Sequence, residues 1–181
     1  RLAKKINKRI KVILGGNHIS NAVIDYNWAL ADKSSNLPDH LEDLENENID
    51  FGMTGEGEFS MRDLINGIIN NQNIDKIPGL VKKIGNKKYI INPAIRIHDL
   101  NVLPRPARYM VNMEGYFKIG AFHSAKSRSK RVLNVMCSRG CPEKCTFCTT
   151  PELWGQKMRW RTTEHIMNEI KNDCKDYQTQ E

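Results

Sequence analysis

Apolar positions along this chain alternate between short β-rich runs and longer helical stripes. Residues 10–14 form a compact β-rich run that stops at Gly15-Gly16, the pattern of a buried parallel strand followed by a tight turn. A polar stretch comes next. Leu37, Leu41 and Leu44 then mark a short helix, with Pro38 near its first turn. Residues 49–54 read as a second strand, ending in Gly55-Glu56-Gly57-Glu58. Behind it Met61, Leu64, Ile65, Ile68 and Ile69 fall at i, i+3, i+4, i+7 and i+8, one face of an amphipathic helix. Strand, helix, strand, helix in that order calls for parallel strands joined by crossovers, and so for an α/β fold.

Further along, residues 80–84 and 88–91 flank Gly85-Asn86 and predict a hairpin. Periodicity is lost over 93–131, where Pro93, Pro104 and Pro106 mark a linker. Tyr109, Tyr116, Phe117 and Phe122 imply that this linker packs on something. A strand is predicted at 132–136 and a helix over 163–177, with Glu164 in the first turn, where a helix favours negative charge. Ile166, Ile170, Cys174 and Tyr177 keep helical spacing, so Cys174 reads as core.

Composition sets the class. The 181 residues are 39% hydrophobic and 27% charged, a globular balance with a sizeable core. No run approaches the roughly 18 apolar residues of a membrane span. The net charge of +7 is concentrated in Arg1, Lys4, Lys5, Lys8, Arg9 and Lys11, which read as the basic tail of a helix in a segment cut from a longer chain. A second basic run, 126–131, reads as a solvated linker. Between Asp25 and Asp63 there are eleven acids and two bases, which excludes a general nucleic-acid-binding surface. Five cysteines, three of them clustered, point to metal binding in a reducing, cytoplasmic compartment rather than to disulfides.

The clustered three are Cys141, Cys145 and Cys148, spaced C-x3-C-x2-C. Thiolates this close suit zinc or an iron–sulfur cluster. A zinc site would need a fourth ligand, which Cys137 could supply; otherwise Cys137 reads as a partly buried thiol at a strand end. Three cysteines on a four-iron cubane leave one iron open, and an open metal position is where chemistry can occur. The spacing, with Phe147 before the last cysteine, resembles the signature of the radical S-adenosylmethionine superfamily. The resemblance implies a [4Fe-4S] cluster on these three thiolates. It also implies S-adenosylmethionine bound at the open iron, cleavage to a 5′-deoxyadenosyl radical, and an electron donor such as flavodoxin or ferredoxin.

The N-terminal half carries its own likeness. Residues 12–18, with Gly15, Gly16 and His18, and residues 50–58, with Gly55, Glu56 and Gly57, resemble the last two strand–helix units of a cobalamin-binding domain. Glycines at the carboxyl ends of parallel strands let a bulky ligand approach the backbone. The cobalt-binding pattern D-x-H-x-x-G is absent around His18, which reads instead as a turn histidine bonded to backbone. Glu56 and Glu58 read equally as cofactor contacts or as solvated or helix-capping groups. Residues 154–161 resemble the stretch just after the cysteines in the same class. Their Arg159 and Arg161 either hold anionic groups or lie in solvent on a loop pinned by two tryptophans.

The resemblance implies a division into three parts. Residues 1–92 would be the back half of a doubly wound, flavodoxin-like cobalamin-binding sheet with its hairpin, and 93–131 a linker. Residues 132–181 would be the first β/α unit of a partial (β/α) barrel. It further implies methyl transfer to a small-molecule substrate. The alternatives are a methylthiotransferase, whose second cluster needs cysteines that are absent before Cys137, and a zinc or electron-transfer module.

Overall fold

The computed structural model describes residues 2–32, 41–119 and 129–179. Two compact units emerge, Arg1–Ile97 with Gly140–Lys157, and His98–Arg139 with Met158–Glu181. The first contains α1 (Leu2–Ile6), β1 (Ile13–Leu14), α2 (Asn17–Ala31), β2 (Phe51–Met53), α3 (Gly57–Ile69), β3 (Leu80–Gly85) and β4 (Lys88–Ile91). The second contains α4 (Met113–Ile119) and β5 (Ser138–Arg139); α5 (Thr150–Trp154) belongs to the first, and β6 (Arg159–Trp160) and α6 (Thr163–Tyr177) to the second. Among the described residues no helix is long and apolar enough to cross a membrane.

In the first unit a mixed sheet runs β1-β2-β3-β4. β1 and β2 are parallel, with Ile13 opposite Phe51 and Leu14 opposite Gly52, as the strand–helix alternation predicts. β2–β3 and β3–β4 are antiparallel, the latter forming the expected hairpin. Side chains alternate across the sheet. Leu14 and Val81 pack with Ile19, Ala22 and Val23 of α2 and with Leu41 and Leu44. Ile13, Phe51, Met53 and Leu80 pack on the other face with Met61, Leu64 and Ile68 of α3. At Gly52 a Cβ would lie 3.1 Å from both Ile19 Cγ1 and Val81 Cβ, so the bare backbone is what lets α2 seat on the strand.

The structure departs from three of these expectations. The stretch after Gly16 is a fifteen-residue helix, not an unstructured polar segment. Its apolar face is Ile19, Ala22, Val23 and Tyr26, a helical spacing masked by intervening Asn, His and Ser. Leu41 and Leu44 are buried beside a 3-10 turn (Glu42–Glu45), whereas Leu37 and Pro38 lie outside the described residues. In α3 the fully buried line is Ser60, Leu64 and Gly67, while Ile65 and Ile69 face solvent at 46% and 69% exposure. The sheet covers only a narrow stripe of the helix, and those two isoleucines fall beyond its edge.

The basic N-terminal run is partly neutralised at one carboxylate. Asp50 accepts from Lys4 Nζ at 2.6 Å, Lys11 Nζ at 3.1 Å and the Val12 N–H at 2.9 Å. Burial alone would push this carboxyl up, but the three donors outweigh it and hold it below the usual carboxylate range. On the other side of the sheet's edge, Tyr89 Oη donates to Glu45 Oε1 at 2.6 Å, pinning the hairpin to the 3-10 turn.

The second unit is held by charge. α6 spans the predicted residues, and Thr162 caps it by accepting from the His165 N–H. The buried residues of α6 are Glu169 and Asp173, not apolar side chains, and Cys174 is exposed rather than core. The reason lies in the linker. Arg105 Nη2 reaches Asp173 at 2.5 Å and its Nη1 reaches Asp176 at 2.7 Å. Arg108 Nη1 meets Asp173 at 3.1 Å and Glu169 at 3.3 Å, and Arg161 Nη2 meets Glu169 at 2.5 Å. Arg108 also donates to the Asn134 carbonyl and Arg161 to that of Met136.

These bonds anchor 132–136, which has no ladder partner among the described residues, where the sequence predicts a strand. Among the described residues the ladder that follows pairs Ser138 with Trp160 and Arg139 with Arg159. Phe117 is buried as expected, under Arg131 at 4.4 Å from ring to guanidinium. Tyr109 and Tyr116 are exposed, and Phe122 lies outside the described residues. Arg131 is no solvated linker charge. It grips Glu114 and donates to the Tyr177 carbonyl at the C-terminus of α6, where positive charge is favoured. Residues 126–128 of that basic run are outside the described residues.

Two outcomes are expected for stability. Removing one partner of the buried set by Glu169→Ala should cost about 3–5 kcal/mol in urea unfolding, because it strands arginine charge; Cys174→Ser should stay within ~0.5 kcal/mol. Asp50→Asn should cost roughly 1–2 kcal/mol at neutral pH, after discounting for solvent screening. Since the native carboxyl is depressed, its stabilisation is fully present above the unfolded value of about 3.9 and is lost as pH falls through the native one. The gap between wild type and Asp50→Asn should therefore close on acidification. A gap that did not narrow on acidification would contradict this assignment.

Candidate cofactor site

The three cysteines lie on an excursion within residues 140–157, which belongs to the first unit. The loop begins at Gly140, whose φ of +104° and close approach to the Lys157 carbonyl leave no room for a side chain. It is closed one residue on, where the Cys141 N–H donates to the Gly155 carbonyl at 3.0 Å. Between these points the Cys148 N–H donates to the Cys145 carbonyl at 3.1 Å, turning the chain between the second and third cysteines. α5 comes next and packs on α2. Arg96 braces the return: its Nη2 donates to the Glu152 carbonyl at 3.1 Å, and its guanidinium lies close against Gly155.

Cys145 is exposed and Cys141 and Cys148 are half-buried; all three are free thiols. Hydrogen bonds from the Thr150 side chain and backbone hold the Cys148 thiol below its usual range, toward thiolate. Phe147 is 89% exposed. Among the described residues no group of three or more His, Cys, Asp or Glu side chains is gathered closely enough to hold a metal ion, so the loop presents its thiols without converging them. The donor set itself, three soft and accessible thiols within eight residues, fits an iron–sulfur cluster with one open iron. Cys137 is exposed, contrary to the partly buried thiol expected.

The glycine-bearing strand ends lie in the same unit as the thiols. Gly15 and Gly16 come after β1, and Gly55 to Gly57 after β2, its parallel neighbour, so both leave the sheet at one edge. A Cβ on Gly16 would meet nothing within 4 Å, so the space before this strand end is open. At Gly55 the space is already taken, since a Cβ would lie 2.6 Å from that of Ala94. Gly57 opens α3, where a Cβ would make ordinary contact with Met53.

Glu56 is buried at 4% exposure and accepts from the Ile97 N–H at 3.0 Å. It makes no side-chain cap on α3. His18 is exposed in the first turn of α2 and pairs with Asp43 Oδ2 at 2.7 Å, a carboxylate rather than the expected backbone group. The arginines of residues 154–161 are not in solvent. Arg159 is buried and Arg161 is in the ionic set of the second unit, while Trp160 is exposed.

A cavity of about 210 Å³ opens beside this edge, lined by Ser20, Thr54, Gly55, Glu56, Arg96 and Leu153 among others. It brings together the end of β2, α2 and α5. A larger cavity of about 350 Å³ lies in the second unit against Phe117 and Leu133, and contains none of the cysteines or strand-end glycines. Ser20, Arg96 and Thr150 are site residues that no sequence pattern singles out. Each acts through a backbone hydrogen bond or a helix position, which no spacing motif encodes.

No family model matches the chain. It is 30% identical to cytidylyl-2-hydroxyethylphosphonate methyltransferase of Streptomyces wedmorensis, over 70% of this chain and 28% of that protein. It is 28% identical to hopanoid C-3 methylase of Methylococcus capsulatus, over 76% of this chain and 24% of that protein. The chain thus spans roughly a quarter of the length of these curated relatives. Among solved structures it resembles the radical S-adenosylmethionine methyltransferase TsrM from Kitasatospora setae, determined with cobalamin and a [4Fe-4S] cluster bound. That match has a TM-score of 0.51 at 17% identity, and covers 94% of this chain and 30% of that one. The likeness to TsrM is one of fold, a mixed α/β arrangement with the same course over nearly the whole segment.

Proposed function

We propose that the chain belongs to the cobalamin-dependent radical S-adenosylmethionine enzymes and supplies the cluster loop and part of the cobalamin site of a methyltransferase. The observation that carries this is the pairing, within one structural unit, of a three-thiol loop with two parallel strand ends that terminate in glycine. α2 and α3 on opposite faces of the sheet support reading residues 1–92 as the back half of a doubly wound, flavodoxin-like domain. We assign 93–131 as the connecting segment and 132–181 as the start of the partial (β/α) barrel. Methyl transfer is favoured over methylthiolation because residues 1–136 contain no cysteine for a second cluster.

Cys141, Cys145 and Cys148 would hold the cluster, Phe147 would flank it, and Gly15 and Gly16 would face cobalamin, with Gly55, Glu56 and Gly57, packed against Ala94, the Ile97 N–H and Met53, shaping the adjoining strand end. The bound cofactors supply electron transfer to S-adenosylmethionine and a methyl carrier. The chain's own residues anchor and orient. Gly155 and Arg96 fix the first cysteine and the return of its loop, Thr150 favours thiolate at Cys148, and Gly16 leaves the sheet edge open. The partners are a small-molecule substrate and a flavodoxin- or ferredoxin-type electron donor, in the cytoplasm.

Anaerobic reconstitution should give about four irons per chain, the content of one cubane. Replacing any one of Cys141, Cys145 or Cys148 by Ala should abolish it, whereas Cys137→Ser and Cys174→Ser should retain it. Tight stoichiometric zinc with no iron would sink the cluster assignment. The full-length protein should also take up cobalamin, read from its visible absorption. Gly15→Leu, which fills the sheet edge at a position where a Cβ meets only ordinary contact, should weaken uptake roughly tenfold or more. Unchanged uptake by that variant would remove the strand ends from the cobalamin site.

A further inference from the structure

One buried hydroxyl ties the two glycine-bearing strand ends together. Ser20, at 5% exposure, lies in the first turns of α2. Its Oγ donates to the Gly16 carbonyl oxygen at 2.9 Å and accepts from the Gly55 N–H at 3.1 Å. The first bond alone would be ordinary, since serines in helices often donate to the carbonyl four residues back. The second is not local. It crosses thirty-five residues of sequence, from the helix after β1 to the loop after β2. A single oxygen therefore fixes the separation of the two loops.

The second loop is gripped from its other side as well. The Thr54 N–H donates to the Gly79 carbonyl at 2.8 Å and Thr54 Oγ1 to the same oxygen at 3.3 Å. Gly55 is thus held between Ser20 on the β1 side and Gly79 on the β3 side. Ser20, Thr54 and Gly55 all line the 210 Å³ cavity at this edge.

Resting on the cobalamin reading above, we propose that Ser20 is a positioning residue for that cofactor. It acts through Gly16 and Gly55, fixing the two strand ends relative to each other beside the open space at Gly16, where the cofactor would approach. Alanine at this position removes both bonds and leaves the Gly55 N–H without this acceptor. The loops then have to be ordered by the cofactor itself, at the expense of its binding.

The test uses the full-length protein as wild type, Ser20→Ala and Ala22→Gly, with cobalamin as the probe. Ala22 is buried on the same helix but away from the cavity, so its variant weakens α2 without touching the clasp. Ser20→Ala should bind cobalamin roughly threefold to tenfold more weakly, the net worth of about one hydrogen bond. It should also speed hydrogen exchange at the Gly55 amide while the β3–β4 ladder stays protected. Ala22→Gly should lower the melting temperature yet keep wild-type affinity. Wild-type affinity in Ser20→Ala, or an equal loss in Ala22→Gly, would overturn the clasp alone. A wild type that takes up no cobalamin would overturn the reading on which it rests.

Discussion

The parallel pairing of β1 with β2 is the constraint on which the first unit depends. Parallel neighbours cannot be joined by a tight turn, so the chain must cross over a face of the sheet, and α2 is that crossover. Because both strands run the same way, both of their carboxyl ends leave at one edge, and the residues just beyond them become neighbours. The next helix, α3, covers the opposite face, and the alternation of Ile13 with Leu14 and of Leu80 with Val81 gives each helix its own apolar cluster. The glycine ends, the cavity and the Ser20 bridge all stem from that one choice of direction.

The second unit solves a different problem. Residues 98–112 bury Leu100 but leave Val102, Tyr109, Met110 and Val111 exposed, and α6 offers acids where a core helix would offer leucine. Arginines at 105, 108 and 161 make up the difference by entering the interior with their counter-charges. Buried ion pairs give a fold little net stability against an apolar replacement, since desolvation offsets their attraction. Their contribution is geometry. A guanidinium presents several donors in a rigid fork, and here the spare donors reach the carbonyls of Asn134 and Met136, which anchors a segment without a ladder partner among the described residues.

Much of this is legible in the residues themselves. The hairpin at Gly85-Asn86 and the span of α6 are set by turn chemistry and capping, which are local. The three-cysteine spacing is local too, and so are the glycine pairs after each strand. The features that escape a sequence reading are non-local. α2 is hidden because turn formers, Asn17, Ser20, Asn21, Asp25 and Asn27, interrupt its apolar residues; the sheet's need for a crossover brings the pattern out. Cys174 looks like core because its spacing is helical, but spacing cannot say whether the facing surface is apolar or a row of arginines. Ser20 carries no signal at all, because its role is defined by a backbone N–H thirty-five residues away.

The accessibility of the thiol loop also bears on the order in which such a protein is made. Its ends are tied off by Gly140 and by the bond from Cys141 to Gly155, while Cys145 and Phe147 between them stay at the surface. A loop closed at its stem but open at its tip can receive its inorganic contents after the polypeptide has folded, from a carrier that need only reach the surface. The same openness exposes three neighbouring thiols to oxidants until loading is complete. On the cluster assignment proposed above, the shape of the loop therefore calls for loading under reducing conditions.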